Sequence, residues 1–406
     1  MRMLIKIAWR NLWRNRRRSA IVLLSIVVGM ATIVLFDTLS MGMVNQMLRN
    51  RVGNHIGHIQ IHCAGYHDNP QVAAMIPQPR SVEQAIQQTP HVRYYAPRVL
   101  AFGLASSAMS SAGIQLVGID PKKEQHITLI ASSIKKGRYL QNNPHEILIS
   151  TRLAKKLNVQ LGEKIVLLAN TVTGAVGSDV FRVVGLYETF DSNFDRTYIY
   201  IPIREARKLL EIPDGVHEFV IIADAIDRIP AVKEHLRGAL SASLEVLSYR
   251  DIIPLLVAQL QLYQEMIAIY YVVVGLAIAF GIVNTLLMAI FERVHEIGVL
   301  MAIGMRPLKL FWMLLLEAAV LGYLGTALGL IIALLLYWPL SHTGINLAMF
   351  SESLRSFGVG AIIYPVLTPA AVVNSVVTLP LVSIVAAVYP AWRATRFQPM
   401  EAIRYV

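Results

Sequence analysis

The sequence predicts an α-helical membrane protein with four transmembrane helices and a large α+β extracytoplasmic domain inserted between helices 1 and 2. Three observations carry this. First, 55% of the 406 residues are hydrophobic and 16% charged, with a mean hydropathy of +0.52, against roughly 25% charged in soluble domains. Second, four apolar stretches are long enough to cross a hydrocarbon core: Ser19–Phe36, one within Met266–Phe291, Leu310–Leu340 broken by Glu317, and Ala370–Val388. Third, residues 42–262 are polar throughout, too long a stretch for a loop.

Charge sets the expected orientation. Residues 1–18, 291–309 and 390–406 together hold 13 basic and 3 acidic side chains, whereas residues 42–262 hold 23 and 19. The positive-inside rule then places both termini and the 291–309 connection in the cytoplasm, with the large domain outside. The basic excess is spent on topology, so nucleic-acid binding is not implied. No GxxxxGK[ST] phosphate loop and no HExxH occur in the chain. Cys63 is the lone cysteine, which excludes an intrachain disulfide.

Along the chain, residues 1–18 read as a cytoplasmic amphipathic interfacial helix. Arg2, Lys6, Arg10 and Arg14 share one face, and Leu4, Ile5, Ala8, Trp9 and Leu12 share the other. A disordered positive-inside tail is the alternative. Residues 19–41 form transmembrane helix 1 and residues 42–250 the periplasmic domain. Residues 251–291 form a stalk and helix 2, and 292–309 a cytoplasmic helical connection. Residues 310–338 form helix 3, 339–369 a periplasmic loop, 370–389 helix 4 and 390–406 a cytoplasmic tail. Within the domain, strands are expected at His58–His62, Glu146–Ile149, Ile165–Leu168, Phe181–Val184 and Tyr198–Ile203. Helices are expected at Ser81–Gln88, Thr151–Leu157, Ile203–Leu210 and Ala231–Leu240. Asn-Pro pairs at 69–70 and 143–144 and the run Pro213-Asp214-Gly215 supply turns.

The most informative run is Asn284–Gly304. A span ends, and Glu292, Arg293, His295 and Glu296 open a short helix whose other face carries Val294, Ile297, Leu300 and Met301. Gly304 and Pro307 stop it. An apolar ridge on a short helix between spans suits docking into a partner's groove, and equally suits an ordinary interfacial loop helix.

The run ERVHEIGVLMAIGM resembles the coupling helix of the FtsX-like permeases. This family includes macrolide exporters, lipoprotein-releasing permeases and the FtsX division proteins. Three further stretches resemble the same family: AWRNLWRNRRRSAIVLLSIVVG near the start, EAAVLGYLGTALG over Glu317–Gly329, and YPAWRATRFQPMEAIRY at the end. The resemblance implies that Glu292, Arg293, His295, Glu296, Ile297, Leu300, Met301, Gly304 and Met305 sit on a separate cytoplasmic ABC ATPase dimer. It adds a second contact through Pro390, Ala391, Arg393, Ala394 and Arg396. It further implies a second permease subunit, identical or homologous, in contact with membrane lipid. No cofactor then belongs to this chain, and ATP and magnesium sit in the partner ATPase.

Gly322, Gly325 and Gly329 present small residues on one side of helix 3, which permits close backbone approach in lipid. Glu317 in that helix is expected to be protonated or paired inside the bundle, with a proton relay as the lesser reading. Asp37 and Glu265 are expected to snorkel to the interface. His55, His58 and His62 have spacing that suits a metal on a helix. Their setting reads as a strand, however, with His58, Gln60 and His62 on its polar face, so no metal site is expected.

Gln115–Thr128, QLVGIDPKKEQHIT, resembles the lipoprotein-releasing branch, which carries a similar Gly-x-[Asp/Asn]-Pro-x-x-Glu run, and GHIQIHCAGY is similar too. The expected function is ATP-driven extraction of lipoproteins from the outer leaflet of the inner membrane and transfer to a periplasmic carrier. Met43, Met47, Tyr263, Met266 and Tyr270 are candidates for lining the acyl-chain portal, with ordinary interface anchoring as the alternative. Two other readings stay open: a macrolide, peptide or toxin efflux permease working with a periplasmic adaptor, and a signalling subunit that controls a cell-wall hydrolase or sensor kinase.

Overall fold

The computed structural model describes residues 16–397. The amphipathic helix expected over residues 1–18 therefore lies outside the described residues apart from its last three, and so does the tail from residue 398 onward. Two compact units are present. One takes the chain up to Val44, Gln259–Asn346 and from Ile362 onward; the other takes Asn45–Ala258 and Leu347–Ala361.

The first long helix, α1 (Arg16–Arg51), continues past its apolar span into a π-helical turn over Val52–Ile56. The second unit is built on a ten-stranded sheet. Its strands are β1 (Ile59–Cys63), β2 (Val92–Ser106), β3 (Ser111–Ile119), β4 (Ile134–Gly137), β5 (Glu146–Ser150), β6 (Lys164–Asn170), β7 (Val176–Tyr187), β8 (Tyr198–Pro202), β9 (Glu218–Ala223) and β10 (Leu244–Ser248). Helices α2 (Pro79–Gln88), α3 (Pro121–Glu124), α4 (Thr151–Leu157), α5 (Ile203–Leu209) and α6 (Ile229–Ala239) pack on it. The order is β10-β1-β9-β2-β3-β8-β5-β7-β4, with β6 pairing to both β2 and β7. The β3–β8 and β5–β7 pairs are parallel, and the rest are antiparallel.

The two largest apolar cores of the second unit lie along this sheet. Ile59, Ile61, Phe219, Ile221 and Val246 join Val82 and Ile86 of α2 and Val232 and Leu236 of α6 in one. Val99, Leu116, Ile147, Ile149, Phe181 and Ile199 join Leu153 of α4 and Ala206 of α5 in the other. Both lie on one continuous sheet. The long strand β2 links them, pairing with β9 over its first half and with β3 and β6 over its second.

Three of the expected strands, β5, β6 and β7, extend further than the sequence reading, whereas β1 is shifted by one residue and β8 ends one residue earlier. The strands β2, β3, β4, β9 and β10 were not among those expected. The segment 347–361, between the third and fourth long helices, is held on this unit by side-chain and backbone contacts. Asn50 Nδ2 donates to the Gly358 carbonyl at 2.8 Å, Ser192 N donates to the Arg355 carbonyl at 3.1 Å, and Arg355 pairs with Glu188 at 2.5 Å.

The first unit holds α7 (Pro254–Glu292) from Gln259 onward, α8 (Val294–Ala302), α9 (Pro307–Thr343) and α10 (Pro369–Ala394), while two short helices, Tyr249–Ile252 and Ser351–Ser356, belong to the second. Helices α1, α7, α9 and α10 are each long and apolar enough to cross a membrane. Their core joins Ile26, Met30 and Ile33 of α1, Ile278 and Ile282 of α7, Leu310 and Met313 of α9, and Leu379 and Ala387 of α10. Outward-facing side chains such as Val273, Phe280, Leu335, Trp338, Val377 and Leu381 stay exposed, as lipid-facing positions must.

Asp37 does not snorkel. It is buried, and the Tyr271 hydroxyl donates to it at 3.1 Å while standing 2.9 Å from Ser375 Oγ, so α1, α7 and α10 meet around one carboxyl. A hydrogen-bond partner on a neighbouring helix makes burial cheaper than bending the side chain to water. Glu265 is exposed.

Candidate functional site

The short helix α8 is set off by a break at Arg293, whose φ of −108° and ψ of 12° leave the helical region. Gly304 closes the segment at φ +100°, a left-handed conformation that side chains with a Cβ resist. Pro307 then opens α9 at a position where its missing N–H costs nothing.

Burial divides the faces of α8 differently from the sequence reading. Val294, Ile297 and Gly298 are buried, and Met301 and Met305 pack partly against the helix-bundle core. The ridge expected to dock outward thus faces inward. Leu300 departs from it and is exposed, in line with Glu296 and Ile303, which is 80% exposed. Glu292, His295 and Gly304 are exposed as well. The outward face is therefore a mixed stripe of Glu296, Leu300 and Ile303 at helical spacing. Sequence reasoning missed Ile303, although its i, i+4, i+7 relation to Glu296 was there to be read.

Arg293 ties this segment to its neighbours, standing 3.5 Å from Glu296 and 3.9 Å from Glu317 of α9. Glu317 is accordingly buried and paired within the first unit. The second expected contact lies at the same end of the bundle, since Phe291 at the end of α7 meets Phe397 with ring centroids 6.2 Å apart. There Pro390, Ala391 and Ala394 are buried, while Arg393 and Arg396 are exposed, with the Arg396 guanidinium 4.0 Å above the Trp392 ring.

The glycine stripe of α9 is a packing device. A Cβ at Gly322 would come within 2.9 Å of Ser383, one at Gly325 within 2.7 Å of Ile26, and one at Gly329 within 2.6 Å of Met30. One helix thereby receives α10 and α1 on its small-residue side.

The portal candidates differ in exposure. Met47 is buried in the second unit at 1% exposure, because it falls on the part of α1 that serves the domain core. This removes it as a lining residue. Met43 and Tyr263 are half-buried, and Tyr270 stacks on Phe36 with centroids 4.2 Å apart. Met266 is 63% exposed.

The run Gly118–Glu124 folds into a turn with a defined purpose. Asp120 caps α3 by accepting from Lys122 N at 3.0 Å, and Gly118 leaves room for Ala206, which a Cβ would meet at 2.3 Å. Glu124 is fully buried and accepts from Arg98 Nε and Nη2 at 3.1 and 2.7 Å. Arg98 Nη1 also donates to Glu218 at 2.7 Å and to the His55 carbonyl at 2.6 Å. This network ties the end of α1 to β2, α3 and β9. Burial, opposed by Arg98 and reinforced by Glu124, pushes the Glu218 carboxyl up to about 7.

His62 stands 3.6 Å from Glu218, and burial drives it down to about 3. Its Nε2 is 3.0 Å from Gln60 Oε1. The polar face expected of β1 is thus buried, since both sides of this strand are covered. His58 is engaged separately, accepting from Ala223 N at 3.1 Å. Arg98 and Glu218 were missed from the sequence, where Glu124 alone stood inside a recognisable run.

Comparison with known proteins agrees with this architecture. Residues 19–239 match the MacB-like periplasmic core domain and residues 268–399 the FtsX-like permease C-terminal region. The chain is 25% identical to the lipoprotein-releasing system transmembrane protein LolC of Xylella fastidiosa, over 99% of this chain and 98% of that one. It is 22% identical to a macrolide export ATP-binding/permease protein MacB of Yersinia pestis, over 96% of this chain and 56% of that one. Among solved structures, the periplasmic region of MacB from Actinobacillus actinomycetemcomitans is 15% identical, with a TM-score of 0.36 over 50% of this chain and 93% of the other. With one family covering the domain between the first two spans and the other covering the remaining three, this chain belongs to the FtsX-like permeases that carry a MacB-like periplasmic core domain.

Proposed function

We propose that the chain is the membrane subunit of an ABC transporter that uses ATP hydrolysed by a separate subunit to release lipid-anchored proteins from a membrane. The observation that carries this reading is the end-to-end likeness to a lipoprotein-releasing transmembrane protein, which spans 98% of that relative. The macrolide relative is matched over 56% of its length, and its name joins ATP binding to permease in one chain. No phosphate-loop motif occurs in these 406 residues.

On this reading the exposed face of α8 (Glu292, His295, Glu296, Leu300 and Ile303) and the exposed Arg393 and Arg396 meet the ATPase. Val294, Ile297 and Pro390 hold those faces in place from behind. A stripe that alternates charge with large apolar side chains offers a desolvated anchor inside a polar rim, the pattern of short-helix docking. Both termini lie on the ATPase side, at the inner membrane, and residues 45–258 lie on the far side. The exposed apolar flank of α7, with Met266, Ile269, Val273 and Phe280, offers acyl chains a lipid-like surface against a second permease subunit. Such a surface has no energetic preference between lipid tails and an acyl anchor, so release has to be driven by movement.

The test is reconstitution in proteoliposomes with the partner ATPase and a fluorescently labelled lipoprotein. The expected result is ATP-dependent release of the lipoprotein to a soluble acceptor. ATP hydrolysis without release defeats the lipoprotein assignment. A second reading, efflux of macrolides or peptides, is favoured by the macrolide relative, and ATP-dependent drug movement without lipoprotein release would select it.

A further inference from the structure

Three elements that are distant in sequence bring one histidine and two carboxylates together in the second unit. His145 ends the turn after Asn143-Pro144 and immediately precedes β5; Asp179 lies on β7; Glu205 lies in the first turn of α5. His145 Nδ1 stands 3.3 Å from Asp179 Oδ2 and 3.8 Å from Glu205 Oε2, and all three atoms lie within 4.8 Å of one another.

Each group is held so that one donor atom faces the others. The His145 carbonyl accepts from Arg182 N at 2.8 Å, and its ring lies against Phe181, with centroids 5.8 Å apart. Asp179 commits Oδ1 to Val180 N at 2.8 Å, which leaves Oδ2 directed at the histidine. Glu205 Oε2 is buried and receives no hydrogen bond; His145 at 3.8 Å is beyond hydrogen-bond range. A buried carboxylate oxygen without a donor is costly, and here two carboxylates face a single imidazole.

We propose that His145, Asp179 and Glu205 form a binding site for a divalent transition-metal ion of the zinc type. Metal bonds of about 2.0–2.2 Å in a tetrahedral arrangement separate ligand atoms by roughly 3.4 Å, against 3.3 Å from His145 to Asp179 and 3.8 Å to Glu205, which a small side-chain adjustment would close. One imidazole nitrogen with two carboxylate oxygens is a donor set that suits zinc and its first-row neighbours, whereas calcium and magnesium prefer oxygen alone. His145 is 45% exposed at its side chain, so the ion has a path in and water has room to complete its coordination. Bound there, the ion ties the start of β5, strand β7 and helix α5, which hydrogen bonds of the sheet join only in part. The site belongs to the second unit and α8 to the first, and it does not depend on the transported substrate.

The test uses the full-length chain in detergent, free of a polyhistidine tag, stripped with chelator and titrated with Co²⁺. Visible d–d absorption is expected to saturate at one equivalent and to vanish on adding one equivalent of Zn²⁺. Asp179→Asn and Glu205→Gln are each expected to weaken Co²⁺ binding at least tenfold while melting like the parent in the presence of chelator. The wild-type titration decides by itself if a variant fails to fold. No absorption, unsaturable binding at millimolar Co²⁺, or unchanged affinity in folded variants would each overturn the assignment.

Discussion

Arg98 carries one positive charge against two carboxylates in a place that water does not reach. Glu124 takes two of its N–H donors and Glu218 takes one, and His62, driven down to about 3 by burial, brings no compensating charge near neutral pH. Removing the cation strands both carboxylates, so Arg98→Met is expected to cost about 3–5 kcal/mol in domain stability, read as a fall in the melting temperature of the full chain. The raised Glu218 value has a definite sign. Between its ordinary 4.5 and about 7 the folded state holds a proton that the unfolded state has released. The stability from this group is complete below the lower value and is lost as pH rises through the upper one. Glu218→Gln is expected to flatten the stability profile across that window; melts at a series of pH values, compared with the parent, check it. At this scale the sequence was least legible. Glu124 stood in a recognisable run, but Arg98 and Glu218 sit in strands where an isolated charge ordinarily marks the solvent face, and only the tertiary fold shows that both sides are covered.

At the scale of elements, spans were easy to read and strands were hard. A run of some twenty apolar residues has one interpretation in lipid, and α1, α7, α9 and α10 contain every stretch so identified. Strand β2 defeats pattern reading because it changes partners midway and carries Pro97 opposite Phe219, so neither alternation nor a continuous apolar run persists. The inward ridge of α8 escaped for a related reason: helical spacing identifies an apolar face but not the body that covers it. The glycine stripe, expected to pack, lies against α10 and α1. Gly325→Leu and Gly329→Leu would drive side chains into Ile26 and Met30, and each is expected to cost about 1–3 kcal/mol. Gly281→Ala, at a helix position with open space around it, should be neutral or slightly stabilising. Thermal melts of the three variants in one detergent make the comparison, and equal losses at all three would remove the packing role.

For the whole molecule, the useful separation is between the surface proposed to receive the ATPase and the domain proposed to do the work. Leu300→Asp and Ile303→Asp place a charge on the exposed stripe of α8 without touching the buried Val294 and Ile297. Each is expected to lower co-purification of the partner ATPase at least tenfold while leaving the melting of the second unit unchanged. Full retention of the ATPase by both variants would move the contact elsewhere.

The place of β1 in the sheet has a consequence for how the protein is made. This strand lies between β9 and β10, so both of its edges stay open until residues 218–248 have left the ribosome. Local helices can form meanwhile, but the closing of this lobe is a late, long-range event and its rate is set by chain search. A nascent chain stalled before residue 218 would present bare strand edges to other chains. Truncation or slow synthesis in that interval should yield aggregates rather than a partly working protein.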